Sequence, residues 1–250
     1  MRALTLIPIT GVPAIRPGDD LPALLLEAIA ASGTALETGD VVAVCQKVVS
    51  KAEGRVVDLA TVEVSAFARR IGRDLDKDPR IVEVVLRETT RIVKMAGGHL
   101  ICETGPGWIC ANAGVDESNA IAPGTVTLLP ADADASAEWV RRALAARAGV
   151  TLGTVITDTF GRPWRDGLVE VALGVAGIGS LHDLRGLTDL AGRELHHTVL
   201  ALADEMASAA GLLMTKDSGV PAVIVRGVSW EATRGRGRDL IRPRALDLFR

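Results

Sequence analysis

Thr154-Val-Ile-Thr-Asp158-Thr159-Phe-Gly161-Arg162-Pro-Trp-Arg165 reads as a buried strand that ends abruptly in an acid and a hydroxyl, followed by a glycine turn and two arginines. An Asp carried to a strand tip presents a hard oxygen to a metal ion, and arginines beyond the turn suit a phosphate or carboxylate held there. The alternative is a plain strand end, with Asp158 and Thr159 satisfying turn amides and the arginines solvated. The strand itself runs from Gly149 to Thr157 and follows a helix, Ala133 to Ala148, with Ser and Asp near its start.

Working outward, Val41-Val-Ala-Val-Cys45 is a second continuous apolar run, leading into a polar turn or short helix at Gln46 to Lys51. Helical spacing precedes it from Asp19 or Asp20 to Ala31 and recurs over Val62–Ile71, Pro79–Arg87 and about Gly192–Leu213. Short strands joined by Gly-rich turns are predicted at Arg91–Lys94, His99–Cys102 and Gly107–Ala111, with others at Thr125–Leu129 and Ala222–Arg226. Hairpin-like strands mixed with helices predict an α+β (mixed α/β) fold, with no internal repeat and one domain over 1–250. The basic Arg234-Gly-Arg236-Gly-Arg238 run predicts a mobile segment over 234–250.

Composition narrows the function. Hydrophobic residues make up 48% and mean hydropathy is +0.27, yet no run nears the roughly 20 apolar residues of a membrane span. The N-terminus reads as a first strand without a cleavage pattern, so a cytoplasmic protein with no membrane partner is expected. A net charge of −3, with three Phe, four Trp and no Tyr, argues against nucleic acid as a partner. Cys45, Cys102 and Cys110 form no C-x-x-C pair and read as buried reduced thiols. His196 and His197, placed mid-helix, read as packing or surface residues.

Asn112-Ala-Gly-Val-Asp116-Glu-Ser-Asn119 is the second polar cluster, either an Asx-rich turn or the partner carboxylate to Asp158 in a divalent-cation site. Lys51, after a buried strand and before Gly54, suits a phosphate contact or is simply solvated. The loop Met214-Thr-Lys-Asp-Ser-Gly-Val220 is rich in donors that can bind an anion. There is no G-x-x-x-x-G-K-[ST] loop, no G-x-S-x-G elbow and no H-E-x-x-H helix.

In order, these pieces resemble the coenzyme F420-0:L-glutamate ligase family over roughly residues 4 to 228. The match runs through Pro8 to Ile15, Gly18 to Leu21, Val49 to Arg55, Asn112 to Asn119 and Ile156 to Arg162, then Asp189 to Leu195, Ala203 to Glu205 and Gly219 to Gly227. The resemblance implies a two-lobed fold in an intertwined homodimer. It implies a GTP-dependent ligase that adds L-glutamate to F420-0, and further γ-linked glutamates, through an acyl phosphate, releasing GDP and phosphate. Two divalent ions, Mg²⁺ or Mn²⁺, are implied as cofactors, with K⁺ as an optional further cation. Asp116, Asp158 and Thr159 would be metal ligands. Val12, Pro13, Ala14, Ile15, Gln46, Lys47, Lys51, Asn119 and the loop Met214, Thr215, Lys216, Asp217, Ser218, Gly219 and Val220 would form the GTP site.

Three departures from the pattern stand out. The loop is shorter than in archaeal members, where an acid in it ligates the second metal; Asp217 is the natural substitute, although a shifted gap puts Lys216 there. Gln46 and Lys47 replace small hydroxyl residues, which points to backbone contacts. With Lys51 and Asp158, Arg162 is taken as catalytic, with Arg165 as a further candidate, supplying positive charge for phosphoryl transfer. Some bacterial relatives carry a C-terminal nitroreductase-like domain; this chain ends at Arg250, so a separate reductase partner is expected. A metal-dependent phosphohydrolase and a non-enzymatic nucleotide-binding module are the competing assignments.

Overall fold

The apolar runs become strands covered on both sides. A computed structural model describes residues 3–247. The chain begins with β1 (Thr5–Ile9), α1 (Leu21–Ala31), β2 (Val41–Cys45), α2 (Gln46–Ala52) and β3 (Val56–Asp58). An inserted module follows, with α3 (Ala66–Leu75), α4 (Pro79–Arg87), β4 (Thr89–Ala96), β5 (His99–Thr104), β6 (Ile109–Ala111) and β7 (Thr125–Thr127). The remainder is α5 (Ala133–Ala148), β8 (Gly153–Arg162), β9 (Arg165–Ala176), β10 (His182–Asp183), β11 (Val199–Leu200), α6 (Leu202–Gly211) and β12 (Ala222–Arg226). Helices and mixed sheets together bear out the α+β expectation.

The main sheet has the order β1-β12-β2-β8-β9, in which only β2 and β8 run parallel. Period-two alternation sorts its side chains. Val42, Val44, Ile156 and Ile224 pack under α1 and α5 with Leu21, Leu25, Val140 and Leu144. Val41, Ala43, Val155, Val223 and Val225 pack under α6 with Met206, Ala207 and Ala210. Each fully buried valine contributes about 1.5–3 kcal/mol relative to exposure, which is why β2 carries no polar residue before Cys45. β4, β5 and β6 form a separate three-stranded sheet with its own core of Leu59, Val85, Leu100, Cys102 and Val126.

Four sequence expectations change. The helix expected at Val62–Ile71 begins at Ala66, because the Ser65 side chain caps Ala68 N and the residues before it stay extended. The helix expected from Gly192 begins only at Leu202. Asp189 accepts hydrogen bonds from Ala191 N and Arg193 N, and Gly192 takes φ +79°, a local turn that outcompetes helix. His196 and His197 therefore lie in an exposed arm closed by β10 and β11, not in a helix.

Arg234 to Arg238 is held rather than loose. Gly235 N donates to Ile178 O at 2.9 Å and Gly237 N to Asp134 Oδ1 at 2.7 Å. A Cβ on Gly237 would lie 1.9 Å from Leu173 O, so only glycine lets the chain approach β9 so closely. Residues 248–250 of the expected mobile segment lie outside the described residues.

The fourth change concerns the opening stretch. Gly149 caps α5 in the left-handed conformation, so β8 starts at Gly153 instead. It does not stop at Asp158 but continues to Arg162 and turns into β9, pairing Thr159 with Glu170. Asp158 is thus mid-strand, just past a register shift after Ile156, where the ribbon leaves the buried sheet.

Candidate functional site

The carboxyl ends of the parallel pair β2 and β8 point to one edge of the sheet, the usual place for a ligand crevice in such an arrangement. A cleft of about 630 Å³ opens there. Its walls are Val12 to Ile15, Lys47 and Lys51 from α2, Asp116 and Asn119, the β8–β9 ribbon, and the loop after α6. The loops are cross-tied: Asn119, with φ +52°, donates from Nδ2 to Lys216 O at 3.3 Å. Asn112, Ala113 and Gly114 take φ +52°, +51° and +74° in succession beside the cleft. Two non-glycine residues in that region cost roughly 1–2 kcal/mol each, strain of the kind that gathers at functional sites.

On the α2 wall the charges are matched. Lys47 Nζ bonds Asp116 Oδ2 at 2.8 Å, Ser118 O at 2.8 Å and Ser118 Oγ at 2.7 Å, while Ser118 N donates to Asp116 Oδ1 at 2.7 Å. Burial works to raise the Asp116 carboxyl, but the Lys47 and Ser118 bonds outweigh it and hold it below the usual Asp range. Lys51, one turn further along α2, forms no ion pair among the described residues. Burial, then the neighbouring Lys47 charge, lowers its pKa, so it is a cation in want of an anion.

On the β8–β9 ribbon the acids are unmatched. Burial pushes Asp158 up to about 7, assisted by the charges of Glu170 and Asp116 and opposed by the Thr159 amide and Lys47. Thr159 Oγ1 donates to Glu170 Oε1, and Glu170 Oε2 is buried with no partner. Burial also lifts Cys45 to about 11 and Cys110 to about 12, with Asp158 adding to both, so neither is a thiolate ligand at neutral pH. Crowded oxygens short of positive charge, with no soft donor, fit a hard divalent cation. Among the described residues no three His, Cys, Asp or Glu side chains gather into a ready-made cage, so such an ion would complete its shell from water and substrate oxygens.

Most of the candidate residues therefore meet in one cleft, and five do not line it: Gln46, Asp217, Ser218, Arg162 and Arg165. Gln46 is buried and accepts from Ser50 Oγ at 2.9 Å. Asp217 is exposed and accepts from Thr215 Oγ1 at 2.7 Å, which lowers its pKa, while Ser218 Oγ donates to Thr215 O. Arg162 donates to the carbonyls of Asp166 and Gly167 at the hairpin end, a position that follows from β8 running past Asp158. Arg165 opens β9, exposed and beyond the cleft's lining. Glu170 was missed. Its signal was Leu168-Val-Glu170-Val-Ala172, a single acid inside an apolar, strand-like run directly after the turn. A smaller cleft of about 340 Å³, near Arg55 and Glu88, holds none of the candidate residues.

Known proteins similar to this chain share one printed name. The coenzyme F420:L-glutamate ligase of Methanopyrus kandleri is 49% identical over 241 residues, covering 94% of this chain and 93% of its own. That of Methanothermobacter thermautotrophicus is 43% identical over 250 residues, covering 99% of each. That of Methanocaldococcus jannaschii is 44% identical over 216 residues, covering 86% of each. The family model for F420-0:gamma-glutamyl ligase matches residues 10–227, a span that holds the whole cleft, from Val12 on one wall to Val220 on the other. The chain belongs to the F420-0:gamma-glutamyl ligase family.

Proposed function

We propose that this protein is a GTP-dependent ligase that joins L-glutamate to coenzyme F420-0 and extends it by γ-linkage. Support comes from the family and from one structural observation: Lys51, an unpaired cation, shares a single cleft with the charge-starved acids Asp158 and Glu170. A site that needs both an anion and a cation suits a nucleoside triphosphate bound with Mg²⁺ or Mn²⁺.

A carboxylate is a poor acyl donor because its leaving group is oxide. Attack of a coenzyme carboxylate oxygen on the γ-phosphorus of GTP breaks the bond to GDP and gives an acyl phosphate. The glutamate amine then attacks the acyl carbon, phosphate leaves, and the amine proton passes to solvent. Lys51 binds and orients the phosphates; Val12 to Ile15 and the 214–220 loop enclose the nucleotide. Asp116, Asp158 and Thr159 would hold the divalent ions, which neutralise charge on the transferring phosphoryl group when bound. No protein nucleophile is used, so catalysis rests on alignment and charge.

A two-lobed homodimer belongs to the same proposal. Trp164, Leu168, Leu187 and Leu190, which are 78%, 61%, 55% and 110% exposed along the hairpin and the β10–β11 arm, are the surface for it. Mass spectrometry of F420-0 incubated with GTP, Mn²⁺ and L-glutamate should show glutamyl mass gain. No gain, beside an active control, sinks the ligase assignment.

A further inference from the structure

Glu170 is the one acid in the cleft with a buried oxygen that nothing satisfies. Its residue is 8% exposed, and no Lys, Arg or His among the described residues pairs with it. Oε1 accepts from Thr159 Oγ1; Oε2 has no donor. A buried carboxylate left in that state costs several kcal/mol, so the partner must come from outside the chain.

The side chain is also fixed in place. A Cβ on Gly211 would lie 2.5 Å from Glu170 Cγ, so the last turn of α6 closes directly on the Glu170 stem. Ser208 Oγ donates to Glu170 O at 2.8 Å and ties the same helix to the same strand. Cross-strand pairing sets Glu170 against Thr159, on one face of the ribbon. By contrast Asp217, the acid of the 214–220 loop, is exposed, does not line the cleft and is bonded within its own turn.

Resting on the ligase reading above, we infer that Glu170, not Asp217, supplies the carboxylate of the second divalent-cation site, beside the Thr159 hydroxyl. One carboxylate and one hydroxyl leave the rest of the shell to phosphate oxygens and water, the usual arrangement for a nucleotide-bound magnesium or manganese ion.

The test is a count of Mn²⁺ bound per full-length chain, from the electron paramagnetic resonance of free Mn²⁺, at saturating non-hydrolysable GTP analogue. Glu170→Gln should bind one ion fewer than wild type, and Asp217→Asn the same number as wild type. An unchanged count in Glu170→Gln, or a lost ion in Asp217→Asn, overturns the assignment. Glu170→Asp keeps the charge but shortens its reach and should weaken one ion by about tenfold or more; unchanged affinity also overturns it.

Thermal unfolding separates a merely structural role. Without metal, Glu170→Gln should melt no lower than wild type, because it sheds a buried charge and keeps the acceptor for Thr159. Its rise in Tm on adding Mn²⁺ should be smaller. If the variant keeps every ion but loses L-glutamate binding by calorimetry, Glu170 serves the substrate amine and the inference fails. The ligase reading is judged apart from this, on glutamyl mass gain by the wild type.

Discussion

The two sides of the cleft solve the same electrostatic problem in opposite ways. On the α2 wall, Asp116 is folded into a closed set with Lys47 and Ser118, each oxygen bonded. On the β8–β9 ribbon, Asp158 and Glu170 are brought together without a cation, and burial holds Asp158 at about 7. The first is stable as built. The second is a standing cost to the fold, which a bound cation would relieve. A protein keeps such a cost where ligand binding repays it.

The largest effect should come from Asp158→Asn. With Asp158 as the metal ligand proposed above, its loss should cost about 10³-fold or more in the rate of glutamate addition, several kcal/mol of transition-state stabilisation. The metal-free protein should respond the other way and gain stability. Asp158 has an ordinary pKa of 3.8 and a folded value of about 7, so between those values the folded chain holds a proton that the unfolded chain lacks. Stability therefore falls as pH rises through that window, by at most about 1.4 kcal/mol per pH unit. Asp116, whose folded pKa is depressed, has the opposite sign: its contribution is complete above pH 3.8 and disappears on acidification through the lower folded value. Denaturant titrations in chelator should show the wild-type decline from about pH 4 to pH 7 and a flatter curve in Asp158→Asn. An equal decline in both proteins means that the ribbon is not the unbalanced side.

Next in size is Lys51→Ala, which removes the unpaired cation. Losing a charge-assisted phosphate contact is worth about 1.5–3 kcal/mol, so GTP affinity by calorimetry should drop roughly 10- to 100-fold, with an unchanged Tm in the free protein. A lower Tm with intact GTP affinity would assign Lys51 to the fold.

Lys47→Met probes the balanced wall. It should destabilise the metal-free protein by about 1–2 kcal/mol, less than breaking a fully buried pair because the Asp116 side chain is 33% exposed. Added Mn²⁺ should then raise Tm more in the variant than in wild type, since the ion takes over the charge that Lys47 supplied. Equal shifts would show that the two walls do not differ in their need for a cation.

The same contrast explains what was legible in the sequence. Val41 to Cys45 and Thr154 to Thr157 announced themselves because both faces of the sheet there are buried, and continuous apolar runs have few other meanings. Asp116 and Asn119 stood out in a polar cluster after a short strand, and Lys51 as a lysine between a buried strand and Gly54. The ribbon beyond Asp158 was hidden because a two-stranded extension needs only its ladder, and its polar residues look like a turn. Trp164, with φ +61° at the hairpin end, carries no glycine or asparagine signal for that conformation. Glu170 became a site residue only through pairing with Thr159 across that ladder, a relation that no linear pattern displays. The helix expected from Gly192 failed for a local reason, since the Asp189 side chain captures the amides that a helix would need.

Arg162 gives the smallest and sharpest test of where the site ends. Its position after the Asp158-Thr159 pair suggests a phosphate contact, yet its guanidinium is spent on the carbonyls of Asp166 and Gly167 in the hairpin. Those bonds close the ribbon at its exposed end, where water competes for every donor, so each is worth about 0.5–1.5 kcal/mol or less. Arg162→Ala should therefore lower Tm slightly and reduce glutamate addition by less than about tenfold, since 1.4 kcal/mol corresponds to one decade. Any loss should fall on the rate through a looser Thr159–Glu170 ladder, with GTP affinity unchanged. A hundredfold loss in GTP affinity would instead bring the guanidinium into the cleft and extend the charge-starved side of the site to the hairpin tip.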